Sequence, residues 1–558
     1  MNEWFFTQAL VGYKIILENY GEKVETTHDG IFIERRHLDV LPEAFFSYYL
    51  DEYSVAKREE RRLRPLHKRF KDGDKSVKRE INTNLNKIKN SSNRYFKETE
   101  AGKKLTEVAD LYRKEKNYRK EMDDWLDTFI RMLHTKEIDE KLTANFFKAV
   151  HLEPHFGQVS FLNVTHNNRT IAELKDIFRN DFIKPVMDEI SLIEALGTND
   201  EKKVQDILAT STHKLLGPIK RGFRKKTSEE MKAFLKNEIH ICTLTDFPIA
   251  LWSFEEATFT PLALSIGKAV NMTWNITGNN HVPLSSLARL LIFCAQAGAT
   301  RSQGKSVFIF YGGTFDEIYQ TNRSYAQFKD RDRTFDQIIF DLIREQQLKA
   351  KHLKDHYMIF EYESEYRIRK TLLDYMVMTP HLVRLFSEQG NLFNHVHYST
   401  KSAMVRFLLK GIDPKNYLTN LLADKIKNSY STFEVIQMIQ VRHLNQIYVK
   451  GVDDVDIGKQ KRYVWALVKS AEEVKYKLGE KKAQGIAYRL LNAIRSNDKN
   501  TFMDTVMRTY ISSDLQMPML LLEVLHEENM DFATVGNAWV SGLVSKPNDF
   551  KKGEEVNE

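Results

Sequence analysis

Residues 239–313 break the pattern of the chain around them. The stretch IHICTLTDFPIALWSFEEATFTPLALSIGKAVNMTWNITGNNHVPLSSLARLLIFCAQAGATRSQGKSVFIFYGG mixes apolar runs, turn signals and small polar residues. The flanks read mostly as charged helical sequence. The stretch also holds both cysteines, Cys242 and Cys294. A loop-and-strand core between helical arms is the expectation. A chain of 558 residues is too long for one core, and only 12 prolines and 24 glycines favour helix over all-β. The expected fold class is α+β, predominantly helical. A mixed N-terminal and central domain with irregular strands is expected over residues 1–410, a C-terminal helical bundle over 415–545, and a tail over 546–558.

Composition excludes several classes. An apolar fraction of 42% with 11% aromatic is incompatible with wholesale disorder. Two cysteines in so long a chain argue against a disulfide scaffold and fit a reducing cytoplasm. The first residues, MNEWFFTQALVGYKIILENYG, lack a basic n-region and a small-residue cleavage site. No run of 18 apolar residues suggests a membrane span.

The net charge of +7 is modest, but it is unevenly spread. Lys57 to Lys97 carries 15 Lys/Arg against 5 Asp/Glu, and a face of that kind can track a phosphate backbone. The arm, within residues 54–120, offers Arg58, Arg61, Arg62, Arg64, Lys68, Arg69, Lys78 and Arg79, followed by Lys87, Lys89 and Arg94. Asn82, Asn84, Asn86 and Asn93 lie between them and suit phosphate and sugar contacts. A solvated helical brace has the same composition. A second basic knot, 214–226, carries Lys220, Arg221, Arg224 and Lys225, with Phe223 available to stack on a base. Its glycines and proline place it in a loop, where an exposed linker is the other reading.

Residues 4–20 form a helix, and VETT and IFIER are short strands around the His28-Asp29-Gly30 turn. Leu41–Tyr53 is an aromatic-rich helix, and 103–150 and 171–208 are amphipathic helices. HFGQVSFLN (155–163), VFIFYGG (307–313) and HYMIFEYES (356–364) read as strands. From Tyr417 to Val544 the pattern is helical, with Ile486, Leu490, Leu491 and Ile494 on one apolar face and Phe502, Val506 and Tyr510 on another. Pro518 opens a helix whose run MLLLEVL is expected to be a buried wall.

No nucleotide-binding loop, dinucleotide fingerprint, HExxH or GxSxG pattern occurs. An alternative reading is a metal-dependent nuclease, with carboxylates from Asp453, Asp454 and Asp456 and imidazoles from His395 and His397. An exposed acidic loop accounts for the aspartates as well.

Several segments together resemble one family. FEExxFxPLALS (254–265), KAVNMTWN (268–275) and LARLLIFCAQAGAT (287–300) carry the likeness in the middle. WFFTQALVGY (4–13), LPEAFFSYYL (41–50) and YSVAKR (53–58) carry it at the N-terminus, and KAQGIAYRLLNAIR (482–495) with FMDTVMR (502–508) near the C-terminus. They resemble the large subunit of type I-B CRISPR interference complexes (Cascade), in the family named for its paired CXXC motifs. Those pairs would fall here at Cys242 and Thr245, in CTLT, and at Ser285 and Ala288, in SSLA. One thiolate of four remains, whereas structural zinc takes about four ligands. No zinc and no other cofactor is expected, and 239–313 is read as a degenerate zinc-binding-like core. Leu244, Phe247, Leu287 and Leu290 would then hold it by packing.

The resemblance implies a non-catalytic role in antiviral defence. Guide RNA pairing reads the target while protein reads a short protospacer-adjacent motif in duplex DNA. The large subunit would recognise that motif, help unwind the duplex, stabilise the R-loop, contact the 5′ handle of the guide and dock the helicase-nuclease. Implied partners are the guide RNA, target double-stranded DNA and the other Cascade subunits, with no membrane. Motif-reading candidates are Thr277, Asn279 and Asn280 in one loop and Gln296, Arg301, Gln303 and Lys305 in another. The C-terminal bundle resembles the small subunit, so that Lys461, Arg462, Lys469, Lys481 and Lys482 become candidate strand contacts.

Overall fold

A computed structural model describes residues 3–253, 283–302, 304–327, 357–365, 370–451 and 455–546. The chain is predominantly helical, with a small sheet component. Strands β1 (Trp252–Ser253) and β2 (Pro283–Leu284) form an antiparallel pair. Strands β3 (Thr300–Ser302), β4 (Lys305–Phe310), β5 (Tyr357–Glu365) and β6 (Lys370–Met378) lie in that order in a four-stranded sheet. β3 and β4 are antiparallel, with Arg301 opposite Ser306. The chain divides into two compact units. One comprises Met1–Phe308, Thr314–Tyr319 and Glu361–Leu373; the other comprises Ile309–Gly313, Gln320–Phe360 and Asp374–Glu558.

The first unit begins with α1 (Glu3–Tyr20) and α2 (Arg35–Glu52). α2 turns Phe45, Phe46 and Tyr49 inward, where they are fully buried. Phe45 stacks on Phe178 at 5.0 Å and on Phe293 at 5.7 Å, and Phe182 meets Phe293 at 4.5 Å. Phe293 ends α8 (Ser286–Phe293), after which a short helix, Ala295–Gly298, crosses α1. Glycine at the crossing is required by distance. A Cβ on Gly12 would lie 2.1 Å from the Cys294 carbonyl oxygen, and one on Gly298 equally close to that of Gln8. Gln8 Nε2 donates to the Ala295 carbonyl at 2.7 Å across the same contact. Segments 4–13, 41–50 and 287–300 therefore pack as one core.

A second core in this unit lies under the basic arm. α3 (Val55–Lys71), α4 (Lys78–Phe96), α5 (Glu100–Lys114), α6 (Glu121–Leu133) and α7 (Lys136–Phe147) bury one stripe each, including Leu63, Phe70, Ile81, Leu85, Leu105, Phe129 and Leu133. Most of their cationic positions are thereby turned outward, Lys78 and Lys89 being half-buried.

In the second unit the helices surround α12 (Phe532–Leu543), whose Trp539 is fully buried and donates to the Tyr510 hydroxyl at 3.2 Å. α9 (Phe433–Lys450), α10 (Ile457–Leu478) and α11 (Glu480–Arg495) pack on it. A Cβ on Gly542 would meet the Val468 carbonyl oxygen at 2.1 Å, so glycine lets α10 and α12 touch. Arg442 of α9, almost wholly buried, donates to Asp413, Asp531 and Thr534.

Several expectations are corrected. Residues 155–163 are helical, with a turn of α-helix at Glu153–Phe156 and a 3₁₀ turn at Ser160–Leu162. The backbone closes on itself there, Gly157 N–H donating to the Glu153 carbonyl at 2.8 Å and Asn163 N–H to that of Ser160 at 3.2 Å, instead of pairing with a neighbouring strand. VETT and IFIER contribute one bridge, Thr26 to Ile31, rather than strands. After Pro518 come a 3₁₀ turn, Met519–Leu522, and a four-residue helix, Glu523–His526. There Leu521 and Val524 are buried, but Met519 is 83% and Leu525 47% exposed. The expected wall is only half buried.

Candidate nucleic-acid interface

The arm holds the cations, but most of those on α3 are engaged. Arg62 pairs with Glu80 at 3.0 Å, Arg64 with Glu60 and Asp127 at 2.7 and 2.9 Å, and Arg69 with Asp74 at 2.7 Å. Arg58 bonds Glu59 and lies 3.9 Å from the Phe146 ring centroid. Lys78 donates to the Tyr112 carbonyl at 2.8 Å between the Phe70 and Tyr112 rings. Burial lowers its ammonium to about 8. Asp123 gathers this side of the arm: burial tends to raise its carboxyl, but hydrogen bonds from Lys71, His67 and Tyr118 hold it at about 2. Arg61 and Lys68 are exposed.

α4 differs. Arg79, Thr83, Asn86, Lys87, Asn90 and Arg94 recur at helical spacing within about 100° of its circumference and over about 22 Å. The opposite face buries Ile81, Leu85 and Ile88. Arg79, Lys87 and Arg94 are exposed, and among the described residues none makes an ion pair. The helix has one carboxylate, Glu80, already taken by Arg62. Lys89, off this face, pairs with Asp110 at 2.8 Å. The site is thus a subset of the arm, completed by Lys87 and Arg94. Their spacing of seven and eight residues from neighbouring cations was the signal that marks them.

The knot is helical rather than a loop. A 3₁₀ turn, Lys214–Leu216, leads into a short helix, Gly217–Gly222, with Pro218 in its first turn. Phe223 is fully buried and packs edge-on to Phe234 at 5.9 Å, so it is unavailable for stacking on a base. It anchors the turn that displays Lys220, Arg221, Arg224 and Lys225. All four are exposed and without ion-pair partners among the described residues.

The motif-reading candidates fare differently. Thr277, Asn279, Asn280 and Gln303 lie outside the described residues. Gln296 is 7% exposed; its amide donates to the Tyr362 hydroxyl at 3.0 Å and accepts from Ser306 at 3.1 Å. Burial pushes that tyrosine up to about 12. Arg301 donates to the Val150 carbonyl at 2.6 Å and meets His151 Nδ1 at 3.2 Å. Lys305 pairs with Glu361 at 2.9 Å. In this structure these three tie the unit together and do not converge on an open surface.

Thr245 of CTLT and Ser285 of SSLA come into contact. Residues 242–246 form a tight turn in which Asp246 N–H donates to the Cys242 carbonyl at 3.0 Å. Ser285 is the N-cap of α8 and accepts from Ala288 N–H at 3.1 Å. Thr245 Oγ1 lies 3.2 Å from Ser285 Oγ. Glu189 fixes the start of α8, accepting from Ser286 N–H at 3.0 Å and Ser286 Oγ at 2.6 Å. A negative group at a helix N-terminus is favourably placed. One thiol, two hydroxyls and a methyl do not make a zinc donor set, so these residues do not fit the metal.

In the second unit, Lys469, Lys481 and Lys482 are exposed. Arg462 lies 3.4 Å from Asp456, and partial burial lowers the Lys461 ammonium. For the nuclease alternative, Asp453 and Asp454 lie outside the described residues, while Asp456 caps α10 by accepting from Lys459 N–H. His397 bonds Ser399 at the start of the helix Tyr398–Leu409. Among the described residues no three His, Cys, Asp or Glu side chains converge as a metal site, and no helix is long and apolar enough to cross a membrane. No family model, curated protein or solved structure matches the chain.

Proposed function

We propose that this chain is the non-catalytic large subunit of a type I-B CRISPR RNA-guided surveillance complex, and that it grips nucleic acid through the outward face of α4. The observation that carries the reading is the α4 stripe: three exposed cations that make no ion pair among the described residues, interleaved with Asn and Thr, on a helix whose one carboxylate, Glu80, is held by Arg62. Unpaired cations release counterions from phosphate, whereas those already in ion pairs gain less. The stripe has no exposed aromatic ring between its cations, which suits the sugar-phosphate edge of a duplex better than stacked single-stranded bases. Lys220, Arg221, Arg224 and Lys225 offer a second contact of the same kind. Packing of segments 4–13, 41–50 and 287–300 into one core, and the contact between Thr245 and Ser285, one position from each CXXC-like pair, also support the reading. Motif recognition, duplex opening and helicase-nuclease docking belong to the proposal through the resemblance.

The test is to isolate the full-length chain from its host and sequence the RNA that accompanies it. The expected result is a population sharing one constant 5′ segment followed by variable guides. Absence of RNA, or RNA without a constant segment, contradicts membership in such a complex.

A further inference from the structure

The turn 242–246 meets the start of α8 through Thr245 and Ser285. The 3.2 Å between Thr245 Oγ1 and Ser285 Oγ is close to the separation of about 3.8 Å between two sulfurs on one zinc. Cys242, at the first position of the turn, is buried, as is Ala288 at the third position of the helix. Only the Cys242 thiol is a group that zinc takes. The neighbouring contacts account for the junction without a metal. Thr243 donates twice to the Pro283 carbonyl, from its N–H at 3.1 Å and its hydroxyl at 3.2 Å, tying the turn to β2. Cys242 N–H donates to the Phe247 carbonyl at 2.8 Å and closes the turn on itself. Asp246 takes the left-handed conformation, φ +52°, that the reversal needs. Ser285 Oγ caps α8 and faces Thr245 at the same time.

We propose that this junction is a metal-free clasp in which the Thr245–Ser285 hydroxyl pair occupies the bridging place of a metal ion. The clasp joins the turn to α8, and α8 in turn is fixed to the helix Lys184–Gly197 through Glu189. Folding of the first unit is therefore independent of zinc, and chelators and thiol oxidants leave the bridge intact. Because Thr245 and Ser285 already stand 3.2 Å apart, returning thiols to the three positions is expected to create a site. This inference stands apart from the nucleic-acid reading and fails or holds without it.

The test uses the full chain and has three arms. Wild-type protein is assayed for bound metal and melted with and without a chelator. The triple variant Thr245→Cys, Ser285→Cys, Ala288→Cys, which keeps Cys242, is titrated with cobalt(II) and examined for thiolate-to-cobalt absorption. Thr245→Val is melted alone. The proposal expects no stoichiometric metal in wild type, a melting point unmoved by chelator, one cobalt per chain with a four-thiolate spectrum in the triple variant, and a Thr245→Val midpoint lower by about 1–2 °C. One zinc per wild-type chain, or a chelator-dependent melt, overturns it. So does a folded triple variant that takes no cobalt. Should the triple variant not fold, Thr245→Val decides: a midpoint equal to wild type refutes the clasp.

Discussion

Replacing Arg79, Lys87 and Arg94 together by alanine removes the three unpaired cations of the α4 face while leaving its buried stripe intact. Alanine is the best helix former, and exposed substitutions of this kind move stability by no more than about 0.5 kcal/mol. Each phosphate contact contributes roughly 0.9 to the slope of log affinity on log salt, so losing three flattens that slope by about 2.7. At 0.1 M salt the same term lowers duplex affinity by ~500-fold. The assay is equilibrium binding of labelled duplex by the assembled complex, wild type against triple variant, between about 50 and 200 mM salt. Arg62→Ala is the control: its guanidinium is held by Glu80 at 3.0 Å, and it is expected to change the slope by well under one unit. A triple variant with wild-type slope refutes the assignment of α4. An Arg62→Ala effect as large as that of an α4 cation refutes the argument that pairing decides which cations act.

Other outcomes follow from the packing and the ion pairs. Phe223→Ala removes a fully buried ring and is expected to destabilise by about 3–5 kcal/mol in denaturant titration, with no change in salt slope; a changed slope at unchanged stability would restore the base-stacking role. Gly12→Ala drives a methyl to 2.1 Å from the Cys294 carbonyl and is expected to cost about 1–3 kcal/mol; a neutral result contradicts the close crossing of α1. Burial tends to raise the Asp531 carboxyl, but Arg442 holds it well below the usual range. A depressed carboxylate stabilises the fold above its unfolded value of about 4 and loses that contribution as pH falls toward the native one. Arg442→Met should therefore lower stability at pH 7 and flatten the acid limb below about pH 4, and an unchanged acid limb would show that the pair is not formed.

Much of the fold was legible because helices announce themselves. The 3.6-residue spacing of Leu490, Leu491 and Ile494, and of Phe502, Val506 and Tyr510, matches faces that are buried. β4 and β5 could be read from continuous apolar runs. β6 could not: KTLLDYMVM has no regular alternation, and its Leu372 and Leu373 are exposed. Residues 155–163 have the local composition of a strand, but their backbone bonds close locally, from Gly157 to Glu153 and from Asn163 to Ser160. At the site, residue types were visible but their partners were not. Arg62 meets a glutamate 18 residues away and Arg64 an aspartate 63 away, so a sequence count cannot tell a free cation from a paired one. The same holds for Gln296 and Arg301, which look like surface polar residues until Tyr362 and Val150 arrive from distant segments.

The central claim is tested most directly by duplex binding of the reconstituted complex, with and without this chain, across a library of flanking sequences at two salt concentrations. The account predicts that removing the chain abolishes flank preference and flattens the salt dependence together. Flank preference that survives its removal would assign motif reading to another subunit and leave this chain as a brace.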